Sequence, residues 1–300
     1  MTTLPSPSVS DRSYPTGKIA NRNAGAYAIL DPHNYMRYND PSHQPTSGSV
    51  IGNSSDPTAA TTAQFAEFWG ELSGRFAHNP YVIFSLMNEP HDMPTQLVLD
   101  NDQAAITAIR KAGAKQMILA PGNSYTGGHS WTEAWAGNSD QYMYKLVDPV
   151  NNTAIDIHEY LDEDFSGSHQ NCTQPGPANM QNVTDWLKAH GLKAMVTELG
   201  GYPNAVCKSM LQDFIKYLDA NDVYLGWNAW AAGPIWGTYS PCCSDSQQAG
   251  SLEPNVNGAS GPGYYDTLWE PTIQPLVPKH LKRSGISSIG GCSAGHRKHK

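Results

Sequence analysis

At 300 residues the chain has 19 Lys and Arg against 27 Asp and Glu, a net charge of −8, and its interior carries no long basic tract, which argues against nucleic acid as a partner. No run approaches the roughly 18 apolar residues that a membrane span needs, so no membrane partner is expected. The length suits one large α/β domain, and 8 Trp with 15 Tyr supply flat faces for a neutral, hydroxyl-studded ligand, although each can equally fill a core.

Residues 1–24 are rich in Ser, Thr and Pro without periodicity and read as an unstructured segment, with no apolar stretch of signal-peptide length. Strand-like runs then alternate with helical patterns. "AYAILDPHN" is followed by a helix over Thr62 to Ala77, whose Phe65, Phe68, Trp69, Leu72 and Phe76 fall on one stripe. "YVIFSLMNE" leads to a helix over Asp102 to Gly113, and "KQMILAPGN" and "AIDIHEYLD" lead to one over Asn179 to Gly191. "KAMVTELGG", a helix over Ala205 to Ala220 and "VYLGWNAWAAG" complete the series. Residues 290–300, "GGCSAGHRKHK", read as a disordered basic tail. Asn53, Asn151, Asn171 and Asn182 each open an N-x-S/T sequon, and Cys172, Cys207, Cys242, Cys243 and Cys292 contain no C-x-x-C pair. That set favours disulfides and secretion over a zinc site.

Repeated βα units imply a parallel sheet with its helices outside, and such sheets keep their functional residues at the carboxyl ends of the strands. Those ends carry His33 and Asn34, Asn88 and Glu89, Asn123, His158 and Tyr160, Glu198, and Trp230. Two carboxylates facing each other across a sugar are what glycosidic cleavage needs: one donates a proton to the leaving oxygen while the other is ionised. The competing reading of Glu89 and Glu198 is structural, as helix caps or partners of arginines. His158 and Tyr160 stand two apart on one strand and so share a face.

"MNEPHD", "DIHEYLD" and "VTELGG", together with "AYAILDPHNYMRYN" and "NDVYLGWNAWAAG", resemble glycoside hydrolase family 5 and, within it, the fungal cellulase branch, over residues 25–289. The resemblance implies a (β/α)8 TIM barrel and a retaining endo-β-1,4-glucanase that acts on cellulose or a related β-1,4-glucan. It implies neither metal nor organic cofactor, and an extracellular, monomeric protein. Carried onto matching positions, it makes Glu89 the acid/base and Glu198 the nucleophile. Asn88 would bond the sugar 2-OH and help to hold Glu198, Tyr160 would bond Glu198, His158 would orient near Glu89, His33 would close the floor, and Trp230 would stack on the sugar at the cleavage point. Trp131, Trp135 and Trp236 are either platforms for outer sugars or core; His91 reads as structural, and His43, His129 and His169 as surface residues.

Cys172 and Cys207 match a disulfide of the related enzymes, while the partners of Cys242, Cys243 and Cys292 stay open. The resemblance begins at the family's third strand, so an incomplete barrel of about six βα units is expected, without the second-strand Arg that holds the nucleophile. Rival readings are a mannanase or mixed-linkage glucanase, and a non-catalytic glucan-binding remnant of the barrel.

Overall fold

The computed structural model describes residues 26–38, 48–232, 251–254 and 262–278. The two terminal segments, His43, Trp236, Cys242, Cys243 and Cys292 lie outside the described residues.

Six parallel strands, rich in β-branched and other apolar residues, form the central sheet: β1 (Ala28–Leu30), β4 (Val82–Ser85), β5 (Ile118–Pro121), β6 (Thr153–His158), β7 (Ala194–Leu199) and β8 (Tyr224–Ala229). They lie side by side in chain order, as successive crossovers on one face require. In a flat sheet β4 and β7 would stand three strand spacings, about 14 Å, apart. A carboxylate oxygen from the end of each nevertheless comes within 4.8 Å of the other, so the sheet curls around a concave interior and forms an incomplete (β/α)8 barrel. Burial follows the curl: β5 is buried throughout, whereas most of β8 is half-buried.

Helix α1 (Thr62–Phe76) starts at a capping box in which Thr61 accepts from the Gln64 backbone and Gln64 accepts from the Thr61 backbone. Its apolar stripe buries Phe65 and Trp69 and half-buries Phe68, Leu72 and Phe76 against β4 and helix α2. Helix α2 (Thr95–Lys111) begins seven residues before the expected Asp102, because Val98 and Leu99 continue the buried stripe back to Pro94. The expected helix over Asn179 to Gly191 is interrupted at Met180, giving α3 (Gly176–Asn179) and α4 (Gln181–His190), which ends on left-handed Gly191. Helix α5 (Ala205–Ala220) is capped by the Asn204 side chain.

Two features carry no sequence periodicity. A short antiparallel ribbon, β2 (Arg37–Tyr38) with β3 (Ser49–Val50), occupies the loop after β1. Between β5 and β6 the chain runs through four single-turn helices over Ser124–Thr126, Ala134–Ala136, Ser139–Gln141 and Met143–Lys145. A disulfide joins Cys172, in the loop after β6, to Cys207 in the first turn of α5. No described helix is long and apolar enough to cross a membrane.

A buried ion pair fastens α2 to the entry of β6. Arg110 donates through Nε and Nη2 to both oxygens of Asp148, each at 2.8 Å, and through Nη1 to the carbonyls of Ala114 and Gln116. Asp148 also accepts from the backbones of Val150 and Asn152 and from Thr153. Burial opposes its charge, yet Arg110 and these backbone donors hold its carboxyl far below the usual range. Replacing Arg110 with Leu strands that charge, and chemical denaturation is expected to register a loss of about 3–5 kcal/mol. Since a depressed carboxyl stabilises the fold above its unfolded value of 3.8, wild type loses this contribution on acidification below that value, and Arg110→Leu has less to lose.

Candidate active site

A polar or aromatic group lies at or within a few residues of the carboxyl end of each sheet strand, and the curl turns these ends toward one another. Glu89 follows β4 with φ 43°, a left-handed backbone that costs a non-glycine residue about 1–3 kcal/mol and persists where the surroundings enforce it. The enforcing contacts are the Asn88 backbone N–H on the Pro32 carbonyl at 3.2 Å and the Tyr125 N–H on the Pro90 carbonyl at 3.0 Å. Glu198 lies within β7, in register with His158 of β6, while the β7–β8 register shifts between Val196 and Leu199.

His158, the last residue of β6, stands between the two carboxylates. Its Nδ1 is 2.7 Å from Glu89 Oε1 and 3.5 Å from Glu198 Oε2. Tyr160 Oη donates to Glu198 Oε2 at 2.8 Å. Burial works against charge on His158, but Glu198, the bond to Glu89 and the nearby Asp156 outweigh it and raise the imidazole to about 10. The carboxylates around His158 thus favour its imidazolium form. Burial pushes Glu198 up, with Glu89 adding to it, while His158, Tyr160 and His33 oppose the shift.

Several expected residues are differently deployed. Asn88 is buried, but its Nδ2 has no partner among the described residues and does not hold Glu198. The His33 side chain is 40% exposed, bonds Asp31 at 3.1 Å, and stacks on Trp230 with centroids 5.4 Å apart, covering one face of that ring. Trp131 is no sugar platform, because it is 1% exposed and packs on Trp186 in the core behind β5 and β6. Trp135 is 72% exposed. Asn123 points its amide at the Met93 carbonyl and Thr95, pinning the start of α2. His129 is not a free surface residue; it stacks on Phe165 and bonds the fully buried Glu159 at 3.0 Å. His169 folds into its own loop against Asp162 and Asp164, where Asp162 also accepts the Gly167 and His169 backbone N–H groups.

Sequence reasoning missed Tyr35 and Tyr125. From Trp230 and His33 the rings continue edge-on through Tyr35 to His91, which stacks on Tyr125 at 4.3 Å. Burial first, then the charge of Glu89, raises the Tyr35 phenol; burial, Asp92 and Glu89 raise that of Tyr125. An aromatic ledge thus runs past Glu89 and ends on a half-exposed tyrosine. Tyr125 directly follows the "APGN" end of a strand with one intervening residue, which was the available signal.

A family profile described as "Cellulase (glycosyl hydrolase family 5)" matches residues 19–233. Endoglucanase 1 of Robillarda sp. (strain Y-20) is 62% identical over 268 residues, which is 89% of this chain and 69% of that protein. Endo-beta-1,4-glucanase A of Emericella nidulans is 41% identical over 219 residues, 72% of this chain and 61% of that one. Among solved structures, XacCel5A in complex with cellopentaose superposes with a TM-score of 0.69 at 35% identity, covering 81% of this chain and 72% of that one. Cel5A (EG2) of Hypocrea jecorina superposes at 0.65 and 31% identity, covering 82% and 70%.

The imidazolium has a signature in stability. A group whose folded pKa is raised stabilises the fold fully below its unfolded value and loses that contribution as pH climbs through the folded one, here from 6.5 to about 10. Melting temperature followed across that window is expected to decline more steeply for wild type than for His158→Gln. Equal slopes would mean that His158 is neutral in the fold.

Proposed function

Because the chain belongs to the cellulase family, glycosyl hydrolase family 5, we propose that it hydrolyses internal β-1,4-glucosidic bonds of cellulose or a related glucan by a retaining double displacement. The observation that carries this reading is the spacing of Glu89 and Glu198, whose nearest oxygens lie within 4.8 Å. Retaining enzymes hold their carboxyl groups about 5–5.5 Å apart, and inverting enzymes about 6.5–9.5 Å, to admit a water.

Glu198 is the nucleophile. It is the more buried of the two, and Tyr160 Oη and His158 Nδ1 converge on its Oε2, which leaves the other oxygen to attack the anomeric carbon. Glu89 is the acid/base. It lies nearer the surface beside the ledge of Tyr35, His91 and Tyr125, the side from which a departing sugar would leave. In the first step Glu89 gives its proton to the glycosidic oxygen while Glu198 forms the ester and the C–O bond to the leaving sugar breaks. Esterification removes the charge of Glu198. Glu89 then takes a proton from water, whose oxygen attacks the anomeric carbon and releases Glu198.

Asn88 Nδ2, a buried donor without a partner among the described residues, is suited to the sugar 2-hydroxyl, a bond that strengthens in the transition state. The Trp230 indole, just beyond the end of β8, is suited to stacking on the sugar ring. All these groups come from one chain, so a monomer suffices, and the Cys172–Cys207 disulfide suits an extracellular setting.

Release of reducing ends from soluble cellulose by the 300-residue chain, set beside mannan and mixed-linkage glucan, tests the reading. Glu198→Gln is expected to cut the rate by roughly a thousandfold or more. A 2-deoxy-2-fluoro cellobioside with a good leaving group should add its sugar mass to the Glu198 peptide. A label on another residue, or residual hydrolysis of cellulose in Glu198→Gln near the wild-type rate, would overturn the assignment.

A further inference from the structure

Two residues before His158 on β6 lies Asp156, a fully buried carboxylate that no step above uses. Its Oδ2 accepts from Ser85 Oγ of β4 at 3.2 Å, and its Oδ1 accepts from Thr197 Oγ1 of β7. Its backbone carbonyl accepts from Thr126 Oγ1, just after β5, at 2.6 Å. One residue thus bonds to the strand that leads to Glu89, the strand that bears Glu198, and the segment that leads to the aromatic ledge.

We propose that Asp156 is a positioning residue: it straps β4, β6 and β7 together beneath the reacting groups, and its buried negative charge keeps His158 the imidazolium that bridges Glu89 and Glu198.

Geometry and charge agree on this. The groups facing His158 are Glu89 from the end of β4, Glu198 from β7 and Asp156 from its own strand. Those facing Asp156 are His158, Asp31 after β1 and Asp102 of α2. Burial raises the Asp156 carboxyl and Asp31 adds to it, while His158 and the two hydroxyl donors resist. Asp102 is fully buried, neither oxygen has a partner among the described residues, and burial followed by the charge of Asp156 pushes its carboxyl well up. Asp156, by contrast, has two hydroxyl donors and the His158 ring to favour its charge. A strap at this depth also fixes strand register, so that the oxygens above it meet within a few tenths of an ångström of a productive spacing.

The kinetic consequence rests on the retaining-glucanase reading, but the protonation state of His158 does not. The test is to follow His158 by NMR across pH in the full chain, with His158→Gln to assign its signal, in wild type, Asp156→Asn and Thr197→Val. The midpoint of His158 is expected to fall by about one unit or more in Asp156→Asn. On soluble cellulose kcat should drop by about tenfold to a hundredfold with little change in KM, and the alkaline limb of the pH profile should move to lower pH. Thr197→Val keeps the carboxylate and removes one donor, so it should shift the midpoint the same way by less, and it stands in if Asp156→Asn does not fold. An unmoved midpoint, or an activity loss that follows melting temperature with an unchanged pH profile, overturns the proposal. If wild type hydrolyses no glucan while Asp156→Asn still moves the midpoint, the strap stands and the glucanase reading falls.

Discussion

Two carboxylates with oxygens within 4.8 Å repel one another by about 3–4 kcal/mol at the effective dielectric of a protein interior. The fold meets that repulsion with a cation between them. His158 touches Glu89 at 2.7 Å and Glu198 at 3.5 Å, and a proton on its ring offsets that repulsion. Tyr160 adds a neutral donor to Glu198. The two carboxylates thus belong to a larger group whose members come from the ends of β4, β6 and β7. Every larger feature of the molecule serves to bring those three strand ends to one point.

The curl of the sheet does this. Helices packed on one face wind successive parallel strands around a common interior, which brings the end of β7 back over the end of β4 across two intervening strands. Covalent and ionic fastenings hold the outer layer to that curve: the Cys172–Cys207 disulfide ties the loop after β6 to α5, and the Arg110–Asp148 pair ties α2 to the entry of β6. Both lie away from the reacting carboxylates. Stability and chemistry are in this sense separated, as barrels commonly separate them by face.

Alternation of short apolar runs with helical stripes was enough to read the six strands and the outer helices, because both patterns arise from burial against one curved core. Boundaries failed where local chemistry competed with the stripe, as at Pro94, which starts α2 early, and at Met180, which splits a helix. For the site, strand-end polar residues are legible because a barrel gathers them whatever its sequence. Trp131 and Trp135 show the limit. They lie four residues apart in one loop, yet one is sealed in the core and the other stands in solvent, since irregular backbone gives side-chain direction no fixed period. The direction of the Tyr125 ring was illegible for the same reason: left-handed φ angles at Ser124, Tyr125 and Thr126 turn it outward, and nothing in the residue types demands them.

The mouth of the site closes differently from the sheet beneath it. Among the described residues β1 and β8 each pair on one side only, and β8 keeps half-exposed side chains along most of its length. Just beyond their ends, however, His33 from the β1 side and Trp230 from the β8 side stack nearly parallel, at 11° and 5.4 Å between centroids. Asp31 anchors His33 from below, and both carboxylates of the site, Glu198 ahead of Glu89, favour its protonated ring. Protonation of His33 would add the attraction of the indole quadrupole to that contact. One side of the site, from Trp230 through His33, Tyr35 and His91 to Tyr125, is therefore continuous in ring contacts, and it spans the gap between the ends of β1 and β8, which do not pair with each other.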